Sequence, residues 1–188
     1  MTGKTEPATK AKTPRGWYMA GSEPTHYESG IDTALAHSGS RCAYIQPALE
    51  DPEGFGTMMQ CFASHSFLGK RIRMNVWMKT EKVEDWAAAF LRVDSEGGGR
   101  MLSIDNMCNR QISGTTDWKK YEIVLDVGHG SSNICFGAML SGKGKIWVDD
   151  VSFEAVDDKV PVTDCPCISK EKRSEPRNLN FEEKDSDT

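Results

Sequence analysis

Two runs of this chain carry residue types that recognise polar, flat-faced molecules. In Arg71 to Lys79 (RIRMNVWMK), Arg73, Asn75 and Trp77 alternate with Ile72, Met74, Val76 and Met78. In Ala87 to Asp94 (AAAFLRVD), Phe90 and Arg92 fall with Ala88 and Asp94 opposite a row of Ala87, Ala89, Leu91 and Val93. Successive residues of a strand point to opposite faces, so each run shows an aromatic among polar groups on one side and an apolar row on the other. Sugar C–H groups lie against such rings while Arg, Asn and Asp side chains hydrogen-bond the hydroxyls. With the two runs taken as neighbouring strands, the expected ligand site is Arg73, Asn75, Trp77, Phe90 and Arg92. Asp105, Asn106 and Arg110, in the loop read over 105–118, would line its rim. The same aromatics serve equally well to fill the space between two sheets.

Signs of catalysis are scarce. His26, His37, His65 and His129 all fall in segments that read as loops or turns. Asp149-Asp150 and Asp157-Asp158 are adjacent pairs, and neighbours on a strand point apart, so neither pair can flank a glycosidic bond from one side. The glycine run Gly97 to Gly99 precedes a strand and not a helix, which excludes a phosphate-binding loop there. The expectation is a protein that is not an enzyme.

The elements that must position these residues are strands. Short alternating runs separated by Gly, Asp, Ser and Asn predict an antiparallel all-β domain. Strands are expected near 41–46, 57–63, 71–80, 87–94, 101–105, 121–127, 133–140 and 145–154, a number that suits a jelly-roll-type sandwich of two packed sheets. Of the 188 residues, 38% are hydrophobic, and they cluster between about Trp17 and Val156. The division expected is an N-terminal tail over 1–15, a β-sandwich over 16–156 and a polar C-terminal tail or linker over 157–188. Six cysteines are present: Cys42, Cys61, Cys108, Cys135, Cys165 and Cys167. Four sit singly in or beside strands and read as free buried thiols; Cys165-Pro166-Cys167 lacks the second pair that a zinc site requires. A net charge of −5 argues against a nucleic-acid partner. No apolar run resembles a signal or a membrane span, so a cytoplasmic location without membrane contact is expected.

Several pieces in order carry a resemblance: Gly16-Trp17, HSGS (37–40), FLGKRIR (67–73), DWKKY (117–121) and IWVDDVSF (146–153). With them, the run from Gly16 to Glu154 resembles the galactose-binding-like β-sandwich of bacterial carbohydrate-binding modules. DNM (105–107) and ISGTTDW (112–118) are similar to uncharacterised modules attached to bacterial regulators and enzymes. The resemblance implies a non-catalytic module that binds a carbohydrate or another small polar ligand. The alternative it leaves open is an intracellular regulatory or protein-interaction module, such as the sensor domain of a transcription-regulator-type protein. Many such modules hold a structural calcium, which by analogy would take Ser38, Ser40, Asp149 and Asp150 as ligands, since calcium requires six to eight oxygens. The Asn-x-x-Phe-Glu opening that helps hold that ion is missing from KAKTPRGW (10–17). It recurs as NLNFE (178–182), as though at the start of a second module.

Overall fold

The computed structural model describes residues 12–163 apart from 96, 98 and 99. Nine strands follow one another: β1 (Tyr18–Gly21), β2 (Tyr27–Asp32), β3 (Cys42–Pro47), β4 (Phe55–Ala63), β5 (Lys70–Ser95), β6 (Met101–Asp105), β7 (Ile112–Val127), β8 (Ser131–Ser141) and β9 (Lys145–Val156). Every pairing is antiparallel. Among the described residues no helix is long and apolar enough to cross a membrane.

The 26-residue strand β5 organises both layers. Its first half lies between β7 and β9, and its second half lies between β6 and β8. One sheet therefore reads β6-β5-β8-β4-β1 and the other β7-β5-β9-β3-β2. Ile72, Met74, Val76, Met78 and Thr80 point inward in the first half and Ala87, Ala89, Leu91 and Val93 in the second, all essentially sealed from water. The inward row thus moves from even to odd positions. Register shifts between Thr80 and Ala87, and the left-handed backbone of Lys82 (φ 49°), make that change as the chain turns the corner. Across the interior, the Phe136 ring of β8 meets Phe153 of β9 edge-on at 4.9 Å and Trp17 at 5.2 Å. Strands β8 and β9 share no ladder, so this contact joins the two inner faces.

The architecture is the antiparallel β-sandwich expected, with differences in its parts. The runs 71–80 and 87–94 are halves of one strand in different sheets, not neighbours. The stretch Glu81 to Asp85 imitates a turn because at the corner only Val83 is buried and the four charged residues around it are exposed. Much of the loop read over 105–118 is the start of β7, and β1 and β2 went unforeseen because YMAG is only four residues long and YESGID carries no apolar alternation.

Cysteine pairing is corrected as well. Cys61 and Cys135 are register partners on β4 and β8 and form a disulfide; Cys108 is also disulfide-bonded. Cys42 is a free buried thiol as expected. Of the stretch expected as tail, Thr163 donates its N–H to the Val124 carbonyl at 2.9 Å, and the Arg71 guanidinium holds the carbonyls of Asp158 and Val160. Cys165-Pro166-Cys167 and NLNFE lie outside the described residues.

Candidate functional site

The two aromatic-polar rows lie on opposite outer surfaces of the sandwich, because each opposes an inward row of its own sheet. Arg73, Asn75 and Trp77 belong to the β7-β5-β9 surface, and Phe90 and Arg92 to the β6-β5-β8-β4-β1 surface. They do not form one site.

On the first surface the polar groups are engaged with one another. Arg73 sits between Glu154 at 3.2 Å and Glu122 at 3.7 Å, and Asn75 donates to the same Glu154 carboxylate at 3.4 Å. Trp77 is covered by the protein itself: the His37 imidazole stacks on it at 3.7 Å and 17°, with Trp118 edge-on to His37 at 5.7 Å. The stack is held by strand β9. Asp149 accepts the backbone N–H of His37 (2.9 Å) and of Ser38 (3.2 Å), while Asp150 takes the His37 Nδ1 at 2.6 Å and the Ser38 hydroxyl at 2.8 Å. Plain alternation would send the two carboxylates to opposite faces. A bulge opposite Asn75 and Trp77, with Asp150 at φ 49°, turns both toward the same loop. The His37 and Ser38 hydrogen bonds hold the Asp150 carboxyl below the usual carboxylate range.

That donor set does not fit calcium. The carboxylates of Asp149 and Asp150 face N–H groups, an imidazole and a hydroxyl, and Ser40 is exposed. Among the described residues no group of three or more His, Cys, Asp or Glu is arranged to hold a metal ion.

Farther along the same surface, the Lys145 ammonium lies 4.3 Å from the Tyr44 ring centre and 4.8 Å from that of Trp147. The Trp147 indole donates to Asp32 at 2.9 Å. The tyrosine ring rests on Gly30, where a Cβ would stand 2.6 Å from its hydroxyl. These aromatics too are used internally.

Asp105 and Arg110 are likewise a clasp and not a rim. Asp105 is the register partner of Leu91, points inward and is fully buried. Arg110 reaches both of its oxygens, at 3.1 and 2.6 Å, and the Met107 N–H adds a third bond at 2.8 Å. Asn106 turns its side-chain oxygen to the Cys108 N–H at 3.3 Å.

The second surface is different. Register places Phe90, Gly137, Met59 and Tyr18 in one row across four strands, with Ala88, Met139, Thr57 and Ala20 in the next row and Arg92, Cys135 and Cys61 on the other side. The middle of this face is apolar and low: Phe90, Met59 and Met139 retain only 5–8% exposure. Its edges stand in water. Tyr18 is 46% exposed, and the Arg92 side chain is 36% exposed while bonded to Asp94 at 2.9 and 3.1 Å. Trp86 and Phe55, 5.7 Å apart, close one end. All nine described strands are used in the two layers, so no described strand packs across this face. Sequence reasoning missed Tyr18, Met59, Met139 and Trp86; the first lies in the unforeseen β1, and the others join the face only through register.

No family model matches the chain. Its sequence is 43% identical over 184 residues to an uncharacterized HTH-type transcriptional regulator, YbfP of Bacillus subtilis; the match takes in 97% of this chain, which spans 62% of that relative's length. Among solved structures, the CBM22-1 xylan-binding domain of Paenibacillus barcinonensis Xyn10C superposes with a TM-score of 0.53 at 16% identity, over 80% of this chain and 99% of that one. The C-terminal family 22 carbohydrate-binding module of Clostridium thermocellum Xyn10B gives 0.52 at 12%, over 78% and 89%. The enzymatically active domain of bacteriophage CBA120 tailspike protein 4 gives 0.54 at 14%, over 76% and 20%. The fold is the carbohydrate-binding-module β-sandwich.

Proposed function

We propose that this chain is a non-catalytic binding module that takes a carbohydrate, or a similarly flat and polar small molecule, on the outer face of the β6-β5-β8-β4-β1 sheet. The observation that carries the reading is a sheet face that no described strand crosses, with a low apolar floor (Phe90, Met59, Met139) between the half-exposed Tyr18 and a partly exposed Arg92 paired to the buried Asp94. A sugar ring would bring its C–H face to the floor and its hydroxyls to the charged edge. The xylan-binding domain that shares the fold supports a carbohydrate as ligand. Because His37 already stacks on Trp77, the opposite surface is the weaker candidate.

A glycan array followed by titration of intrinsic tryptophan fluorescence tests this, with Trp86 beside the face as reporter. Arg92→Ala and Tyr18→Ala should each weaken binding tenfold or more by about 1.4 kcal/mol per decade, and Trp77→Ala should leave it unchanged. Absence of any bound sugar, or loss confined to Trp77→Ala, would sink the reading.

A second reading is favoured by the regulator relative: the same face would sense a small molecule on behalf of a larger regulatory protein. Retardation in gels containing xylan supports the polysaccharide-binding reading; a thermal shift with mono- or disaccharides and no retardation supports the sensor.

A further inference from the structure

The Cys61–Cys135 disulfide lies within the proposed ligand face, and four observations set it apart from a structural staple. It joins directly opposed residues of two strands that a continuous ladder from Phe55↔Ser141 to Ala63↔Asn133 already holds together. Its two ends are unequal: Cys61 is exposed, whereas Cys135 is buried at 3%. The buried sulfur has partners ready for a reduced state, with the Arg92 Nη2 and the Asp94 carboxylate each at 3.7 Å. The exposed sulfur lies 3.2 Å from the Tyr18 hydroxyl. Both edges of the face, Tyr18 and Arg92, therefore touch the two sulfurs.

We propose that this disulfide is a thiol-exchangeable switch that sets the shape and hydrogen bonding of the ligand face. A low-molecular-weight thiolate attacks the exposed Cys61 Sγ in line with the S–S bond. A new bond forms between the incoming sulfur and Cys61, the Cys61–Cys135 bond breaks, and the electron pair leaves on Cys135 as a thiolate beside the Arg92 guanidinium. The thiolate takes a proton from water and directs its S–H to Asp94. A second thiol then attacks the incoming sulfur of the mixed disulfide, releasing the small disulfide and leaving Cys61 as a thiol. In sum, two thiols are oxidised to one disulfide and the protein gains two thiols.

Two sulfurs no longer bonded must separate to van der Waals distance. The Cys135 S–H then competes with Arg92 for the Asp94 carboxylate, and Tyr18 loses its fixed neighbour. The consequence for affinity rests on the binding face proposed above; the exchange itself does not.

The probe is reduced glutathione, applied to the native chain with no sugar present. Mass spectrometry should find the mixed disulfide on Cys61 and not on Cys135, followed by two new thiols, while far-UV circular dichroism keeps its β signature. Amide and guanidinium NMR signals should shift at Ala88, Arg92 and Gly137 and stay in place at Trp77 and Tyr44. The Cys61→Ser/Cys135→Ser double variant should reproduce the reduced spectrum without added glutathione. Resistance of the bond until the protein unfolds, capture on Cys135, or an unchanged Arg92 signal after reduction would each overturn the inference. A chain that exchanges as described but binds no sugar would refute only the carbohydrate reading; one that binds sugar and does not exchange would refute only the switch.

Discussion

Replacing Arg110 by alanine separates a structural clasp from a ligand contact. Asp105 is fully buried and receives three hydrogen bonds, two of them from Arg110, which also donates to the Glu122 carbonyl at 3.3 Å. Without the guanidinium the carboxylate keeps a single N–H partner next to the apolar row of β5. Breaking a buried pair from one side costs about 3–5 kcal/mol. Arg110 is 32% exposed, and solvent screening of that end places the cost near the lower figure, about 3 kcal/mol. For a domain of this size each kcal/mol moves Tm by about 2–4 °C, so Arg110→Ala should melt roughly 6–12 °C lower. Asp105→Leu paired with Arg110→Met should recover part of that loss, since removing both charges leaves neither one stranded. Urea titration and calorimetry provide the assay, with Arg73→Ala as the contrast; its carboxylate partners Glu122 and Glu154 are 39% and 52% exposed, so it should cost under about 1 kcal/mol. An Arg110→Ala protein as stable as the parent, but with impaired ligand binding, would refute the clasp and restore Arg110 to the rim.

Gly137→Ala would put a Cβ 2.2 Å from the Met58 carbonyl oxygen and 2.9 Å from the Met59 Cα; β4 and β8 must then part, at about 1–3 kcal/mol read from the urea midpoint. Cys61→Ser/Cys135→Ser should leave the β4–β8 ladder intact, because the register from Phe55↔Ser141 to Ala63↔Asn133 holds the two strands without the bond; amide exchange along β4 and β8 checks this. Acid should destabilise the fold late. Asp32, Asp126 and Asp150 are held below their ordinary value of 3.8 first by hydrogen bonds from Trp147, Arg71 and His37 respectively. Their contribution is complete above the unfolded value and disappears as pH falls through the lower folded ones, so urea midpoints at neutral pH and pH 5 should agree and drop below about pH 4. Burial, with the charges of Asp149 and Asp32 nearby, pushes the Cys42 thiol up to about 12; iodoacetamide at pH 8 should leave it unlabelled until the protein unfolds.

Alternation made the strands legible because each buries one face, and it assigned Ile72 to Met78 and Ala87 to Val93 to the core correctly. It could not say that Trp77 and Phe90 look out of opposite sides of the molecule. Both stand opposite an apolar row, and only the parity change between Thr80 and Ala87 reveals which sheet each row belongs to. Local backbone defeated the Asp149-Asp150 reading in the same way, since one residue at positive φ redirects a side chain that period-two counting sends elsewhere. The Cys61–Cys135 pair and the Phe90–Gly137–Met59–Tyr18 row depend on register between strands far apart in sequence. Asp105 looked like a surface group because charges seldom point inward, and its burial follows from finding Arg110.

Because β5 serves as a member of both sheets, neither sheet has a complete set of strands of its own. Melting one layer would strip half of a strand that the other layer uses at its next turn, and β7 follows the same corner. The two layers should therefore behave as one cooperative unit, with a single denaturation step and amide exchange in β5 limited by global opening along its whole length.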